Sequence, residues 1–210
     1  MLAKACATES KANFIFGKIS DLLKSEVGES EKQISKIFQR AKLCAPCILF
    51  FDEFQAMFGD KETVGRNTRK MIFQFIFELN QIEEDSGVIV LAATNAPWLI
   101  DESLLSTRII DRHIYVGLPE KPARKIMFQK MLQKMPITIT NEQLEFLSEK
   151  SSGFTGADVK NVCQLAGMEA LTRESTDLNF DDIKCVLSKY LPSTSQLMLE
   201  EFEKWRKRML

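Results

Sequence analysis

Two uninterrupted apolar runs, Cys47–Phe51 and Val88–Ala93, constrain the fold more than any other feature of this sequence. Between them lies an amphipathic stretch, Arg66–Gln81, with Ile72, Phe75, Ile76 and Leu79 at helical spacing and Phe73 and Phe77 beside them. A second such stretch, Glu29–Leu43, precedes the first run and repeats apolar residues at Ile34, Ile37, Phe38 and Ala41. Continuous apolar strands separated by helices predict a parallel sheet covered on both faces. Asn13–Ile19 is a further β-rich segment, His113–Gly117 reads as a short strand, and Leu2–Thr8 reads as the tail of a helix.

After Pro119 and Pro122 the pattern changes. Ala123–Gln133, Asn141–Lys150, Gly156–Thr172, Phe180–Lys189 and Ser195–Met209 all carry helical periodicity. Thr140 and Asn141 with Gln143, and Asn179 with Asp181 and Asp182, have the pattern of helix N-caps. A chain of 210 residues holds one large domain or a domain plus a small lobe. The expected division is an α/β lobe at 1–118 and a helical lobe at 119–210.

A net charge of −1, from 28 basic and 29 acidic residues, supplies no field that would steer the chain to nucleic acid or an anionic membrane. Neither apolar run approaches the roughly 20 residues of a membrane helix. Residues 1–10 contain no apolar signal core. The five cysteines are odd in number and scattered, which fits reduced thiols in a cytoplasmic or nuclear setting.

The strongest chemical signal is Ile48-Leu49-Phe50-Phe51-Asp52-Glu53. A buried strand ending in two acids places both carboxylates at the C-terminal edge of a parallel sheet, where open α/β sheets bind ligands. A strand followed by a solvated acidic turn has the same pattern. The second apolar run ends in Thr94-Asn95, and an Asn there can hydrogen-bond a water or a phosphate oxygen, or simply form a turn.

Gly28-Glu29-Ser30-Glu31, ILFFDE, Ala92-Ala93-Thr94-Asn95, Ile100-Asp101, Ile110–Pro119 and Ser152-Gly153-Phe154-Thr155-Gly156-Ala157-Asp158 occur in this order. Together they resemble the AAA ATPases, and the closing Phe202-Glu203-Lys204-Trp205 is similar to the last helix of katanin, spastin and the ESCRT-disassembling ATPases. The resemblance implies a P-loop NTPase-like core with a helical lid, binding ATP and Mg²⁺ in a hexameric ring of like subunits and acting on protein substrates. By resemblance Asp52 and Glu53 are the Walker B acids: Asp52 holds Mg²⁺ through its water shell and Glu53 polarises the attacking water. Asn95 matches sensor one, and Gly156 and Ala157 match the residues that back the adenine. Arg112 matches an arginine that reaches the neighbouring subunit's nucleotide, where it would neutralise developing charge.

Three departures accompany the resemblance. The family's phosphate loop, Gly-x-x-x-x-Gly-Lys-Thr, would fall just before Met1, and the 210 residues contain no such motif; Gly17-Lys18 is followed by Ile19 and lacks the earlier glycine. The first arginine finger is replaced by Ile109, with Arg108 one residue earlier as a substitute. The pore-loop aromatic is replaced by Glu26. The complete module is therefore expected to couple ATP hydrolysis to remodelling of protein assemblies, while the 210 residues alone bind ATP poorly and are inactive. The alternative is a hydrolysis-dead AAA-fold partner of active subunits.

Other features read as structural. Cys44-Ala45-Pro46-Cys47 ends a helix and opens a strand, the reverse of a redox CxxC, and His113 reads as part of a strand at the sheet edge. Phe73, Phe75 and Phe77 read as buried core. Arg66, Arg69 and Lys70, and Lys204, Arg206, Lys207 and Arg208, read as solvated helix ends, the latter opposing a helix dipole.

Overall fold

The computed structural model describes residues 1–23, 29–58, 66–101, 104–105, 109–173 and 177–209. The backbone divides into two compact units, Met1–His113 and Ile114–Leu210.

The first unit contains α1 (Leu2–Glu9), β1 (Asn13–Lys18), α2 (Ile19–Leu23), α3 (Glu29–Leu43), β2 (Cys47–Asp52), α4 (Arg66–Asn80) and β3 (Val88–Ala92). The strands form a parallel sheet in the order β1-β2-β3. Register pairs Gly17 with Phe51 and Lys18 with Asp52, and on the other side Phe51 with Ala92. Cys47, Leu49 and Phe51 alternate onto one face, where they meet Ile34, Phe38 and Ala41 of α3 and Met71 and Phe75 of α4. Phe75 packs edge-on against Phe38 and Phe51, with ring centroids 5.4 and 5.1 Å apart.

Close packing explains Gly17. A Cβ there would lie 2.2 Å from the Phe51 ring, so only glycine lets that ring cross β1.

The opposite face of the sheet is only partly covered. Ile48 is buried there, as are Ala3 and Ala7 of α1, but Phe16 and Ile89 remain 50% and 61% exposed. Phe73 and Phe77 also depart from the expected core, with exposures of 71% and 56%. A helix advances about 100° per residue, so Phe73 and Phe77 share a face nearly opposite Phe75.

His113–Gly117 forms no strand. Among the described residues no strand edge receives it, and an apolar pentapeptide becomes a strand only by pairing. Ile114 and Val116 stay exposed, while Tyr115 packs near the Phe202 ring at 6.3 Å, with the Arg206 guanidinium 5.3 Å from its centroid.

The second unit is built from α5 (Lys121–Leu132), α6 (Asn141–Lys150), α7 (Gly156–Thr172), α8 (Phe180–Lys189) and α9 (Gln196–Met209). Phe128, Leu132, Leu147, Val159, Val162, Ala166 and Ile183 form its core. Thr140 Oγ1 accepts from Gln143 N–H while Gln143 Oε1 accepts from Thr140 N–H, a reciprocal cap on α6. At α8 the Asn179 N–H donates to Asp182, which also pairs with Arg173. No helix among the described residues is long and apolar enough to cross a membrane.

Candidate functional site

The C-terminal ends of β2 and β3 are adjacent, because the two strands pair in parallel. Asp52 closes β2 with an exposed side chain, and its Oδ1 accepts the Glu53 N–H at 3.0 Å. Glu53 has φ 51° and ψ 44°, a left-handed conformation that glycine favours and that costs a side-chain-bearing residue about 1–2 kcal/mol. This turn carries the exposed Glu53 carboxylate off the strand end and directs the chain into a short 3-10 turn, Phe54–Met57. Buried Phe54 and Met57 anchor that turn to the core.

Hydrogen bonds lace the two strand ends together. Ala93 N–H donates to Phe51 O at 2.8 Å, and Phe54 N–H donates to Ala93 O at 2.9 Å. Thr94 Oγ1 donates to Gln55 Oε1 at 2.7 Å and accepts the Ala96 N–H at 3.0 Å. Asn95, between these two anchored residues, is exposed. The fold therefore brings Asp52, Glu53 and Asn95 to one edge of one sheet.

The remaining candidates fall elsewhere. Arg112 is exposed, its Nε 3.9 Å from Asp111 Oδ2. Ile109 packs against the core of the first unit. Arg108 and Glu26 lie outside the described residues, as does the Arg66 side chain.

Gly156 and Ala157 belong to the second unit and occupy the first turn of α7, where both are exposed. A Cβ on Gly156 would meet only the Met127 side chain, at an ordinary 3.8 Å, so packing within the chain does not demand glycine there. Thr155 and Asp158 cap this turn reciprocally. Burial pushes the Asp158 carboxyl upward, but hydrogen bonds from Thr155, Ser193 and Tyr190 outweigh it and hold the group below its ordinary range. An open groove of about 770 Å³ on the same unit is lined by Met135, Leu165, Met168, Leu171 and Tyr190 among others. Its lining carries no charged side chain.

Gln55, Thr94 and Asp158 join the candidates through the contacts the fold gives them. The signal for Asp158 is the Thr-x-x-Asp capping pattern. The Gln55–Thr94 contact joins residues distant in sequence, and no local pattern announces it.

Residues 1–118 match the model of the ATPase family associated with various cellular activities (AAA), and residues 141–185 match the AAA+ lid domain. The chain is 38% identical over 221 aligned residues to the cell division cycle protein 48 homolog of Archaeoglobus fulgidus, covering 97% of this chain and 30% of that protein. It is 36% identical to the ATPase family protein 2 homolog of Caenorhabditis elegans, covering 98% of this chain and 29% of that one. The chain thus spans about 30% of the length of these curated relatives. The crystal structure of the FIGL-1 AAA domain superposes with a TM-score of 0.87 at 26% identity, covering all of this chain and 72% of the other. The same domain in complex with ADP gives 0.86. The parallel sheet with its α/β helices and the separate helical lid are the architecture of that fold, and the chain belongs to the AAA ATPase family.

Proposed function

We propose that this chain forms most of an ATPase module that, in a ring of like subunits, couples ATP binding and hydrolysis to the remodelling of protein assemblies. The reading rests on the laced edge of β2 and β3, where Asp52, Glu53 and Asn95 sit on adjacent strand ends with Glu53 held in a strained turn. Strain that packing over-determines is a mark of functional positions. Asp52 is an exposed hard-oxygen donor, which suits Mg²⁺ arriving with nucleotide phosphates and keeping most of its waters. The bound ion would supply charge neutralisation at the transferring phosphoryl group. Glu53 would orient and polarise the attacking water, and Asn95 would hydrogen-bond that water or the terminal phosphate. Gly156 and Ala157 would back the adenine, where their small side chains permit close approach. Arg112, exposed and free of the core, would act on a neighbouring subunit's nucleotide. The near-neutral net charge and the five unpaired thiols support a protein-directed role in a reducing cytoplasmic or nuclear compartment.

A second reading, a hydrolysis-dead partner of active subunits, is favoured by one observation. Ile109, at the position of the family's first arginine finger, is partly buried against the core of the first unit and presents no charge. The two readings separate in a steady-state assay of a protein that carries this chain together with a Gly-x-x-x-x-Gly-Lys-Thr segment. The enzyme reading expects Mg²⁺-dependent ATP turnover that falls at least 100-fold on Glu53→Gln. Absence of turnover at ring-forming concentrations supports the dead partner.

A further inference from the structure

Asp158 is fully buried, at 0% exposure, and among the described residues no Lys or Arg forms an ion pair with it. A lone buried carboxylate is costly unless hydrogen bonds replace its hydration. Five donors do so here. Oδ2 accepts the Thr155 N–H at 2.8 Å, the Thr155 hydroxyl at 2.7 Å and the Ser193 hydroxyl at 3.0 Å. Oδ1 accepts the Tyr190 hydroxyl at 3.1 Å and the Ser193 N–H at 3.3 Å.

These donors come from two places distant in sequence. Thr155 caps the exposed turn that carries Gly156 and Ala157. Tyr190 and Ser193 belong to the segment between α8 and α9. A simple capping box needs only the Thr155 half of this arrangement. The Phe154 ring lies 5.4 Å from that of Tyr190, so the residue preceding the cap and the start of the α9 linker also touch through their side chains. A helix cap and an interhelical linker therefore share one carboxylate, and neither can shift without disturbing the other's hydrogen bonds.

We propose that Asp158 is a positioning residue that makes the Gly156–Ala157 turn and the Tyr190–Ser193 linker a single mechanical element, so that nucleotide contact at the turn is transmitted to α9. Transmission of nucleotide rests on the adenine-backing reading given above; the coupling itself does not.

Amide hydrogen exchange on the full 210-residue chain tests the coupling without nucleotide. The double variant Tyr190→Phe/Ser193→Ala removes two donors on the linker side and leaves the Thr155–Asp158 cap chemically intact. Exchange is expected to quicken about tenfold in the linker and first turn of α9, and also at the Thr155 and Asp158 amides. Amides in the middle of α7, around Val162–Ala166, should keep their wild-type rates, which separates the coupling from general loosening of the unit. Unchanged rates at Thr155 and Asp158 beside a faster linker would overturn the proposal, as would uniform acceleration along α7. Asp158→Asn supplies an independent arm. An amide turned to keep its oxygen on the Thr155 side presents an N–H₂ to the Ser193 N–H, so the linker should loosen while the cap persists in part. In a protein that joins this chain to a Gly-x-x-x-x-Gly-Lys-Thr segment and binds nucleotide, millimolar Mg²⁺–ATP should then slow exchange at both the turn and the linker of the wild-type chain, and at the turn alone when the chain carries the double substitution. Protection of the turn without the linker in the wild-type chain would contradict the transmission. If nucleotide protects neither segment, the adenine reading of Gly156 and Ala157 fails, while the nucleotide-free result still decides the coupling.

Discussion

The Thr94 hydroxyl donates to Gln55 Oε1 at 2.7 Å and accepts the Ala96 N–H at 3.0 Å, bracketing Asn95 between two fixed points. Gln55 belongs to the turn that begins directly after Glu53. This one side-chain pair therefore ties the loop that carries Asn95 to the turn that follows the acidic pair on the neighbouring strand.

Thr94→Val should cost more than Gln55→Ala. The alanine change removes one acceptor and lets the Thr94 hydroxyl turn to water, for a loss of about 1 kcal/mol. The valine change leaves both Gln55 Oε1 and the Ala96 N–H without their partner, for about 1–3 kcal/mol. Urea unfolding of the two variants checks the order. Equal losses would mean that the threonine does not serve both bonds.

Glu53 should trade stability against function. Asn tolerates the left-handed conformation, so Glu53→Asn is expected to hold or raise the thermal midpoint. Glu53→Val puts a β-branched residue in the same conformation and should destabilise by about 1–2 kcal/mol. A fall in midpoint for Glu53→Asn as large as for Glu53→Val would refute the strained turn.

Gly17→Ala should destabilise the first unit by about 1–3 kcal/mol, because the new methyl would collide with the Phe51 ring. Combining it with Phe51→Leu should cost less than the sum of the single changes, since the shorter side chain vacates the contested space. Strict additivity in denaturant unfolding would place the clash elsewhere.

Acid unfolding should report on Asp158. Its carboxyl titrates below the ordinary value of about 3.9, so it binds its proton more weakly in the folded than in the unfolded chain. The stability it contributes is present above the unfolded-state value and is lost as pH falls through the lower folded one. Asp158→Asn should therefore be destabilised at neutral pH and show a flatter loss of stability below about pH 4. Parallel stability curves for variant and wild type would exclude this role.

Much of the architecture was legible from periodicity. The strands at Cys47 and Val88 and the helices at Glu29, Asn141 and Gly156 follow from apolar spacing, and the α6 cap follows from Thr140 and Gln143. Misreadings arose where a partner decides the outcome. His113–Gly117 has a strand's composition but pairs with no strand among the described residues, and the Tyr115 ring lies beside that of Phe202 instead. Phe73 and Phe77 look like core by composition but point away from Phe75 by helix geometry. The candidate site was legible as residue types at strand ends. The left-handed turn at Glu53, the Gln55–Thr94 bond and the shared Asp158 carboxylate were not, because each depends on contacts or backbone angles that no spacing rule encodes.

The sharpest measurement is single-turnover hydrolysis of prebound Mg²⁺–ATP by a ring-forming protein that joins this chain to a phosphate-loop segment. Wild type should convert bound ATP to ADP, while Glu53→Gln should retain it with affinity changed by less than about threefold and conversion slowed at least 100-fold. Conversion by Glu53→Gln at the wild-type rate would contradict the assignment of hydrolysis to the β2–β3 edge.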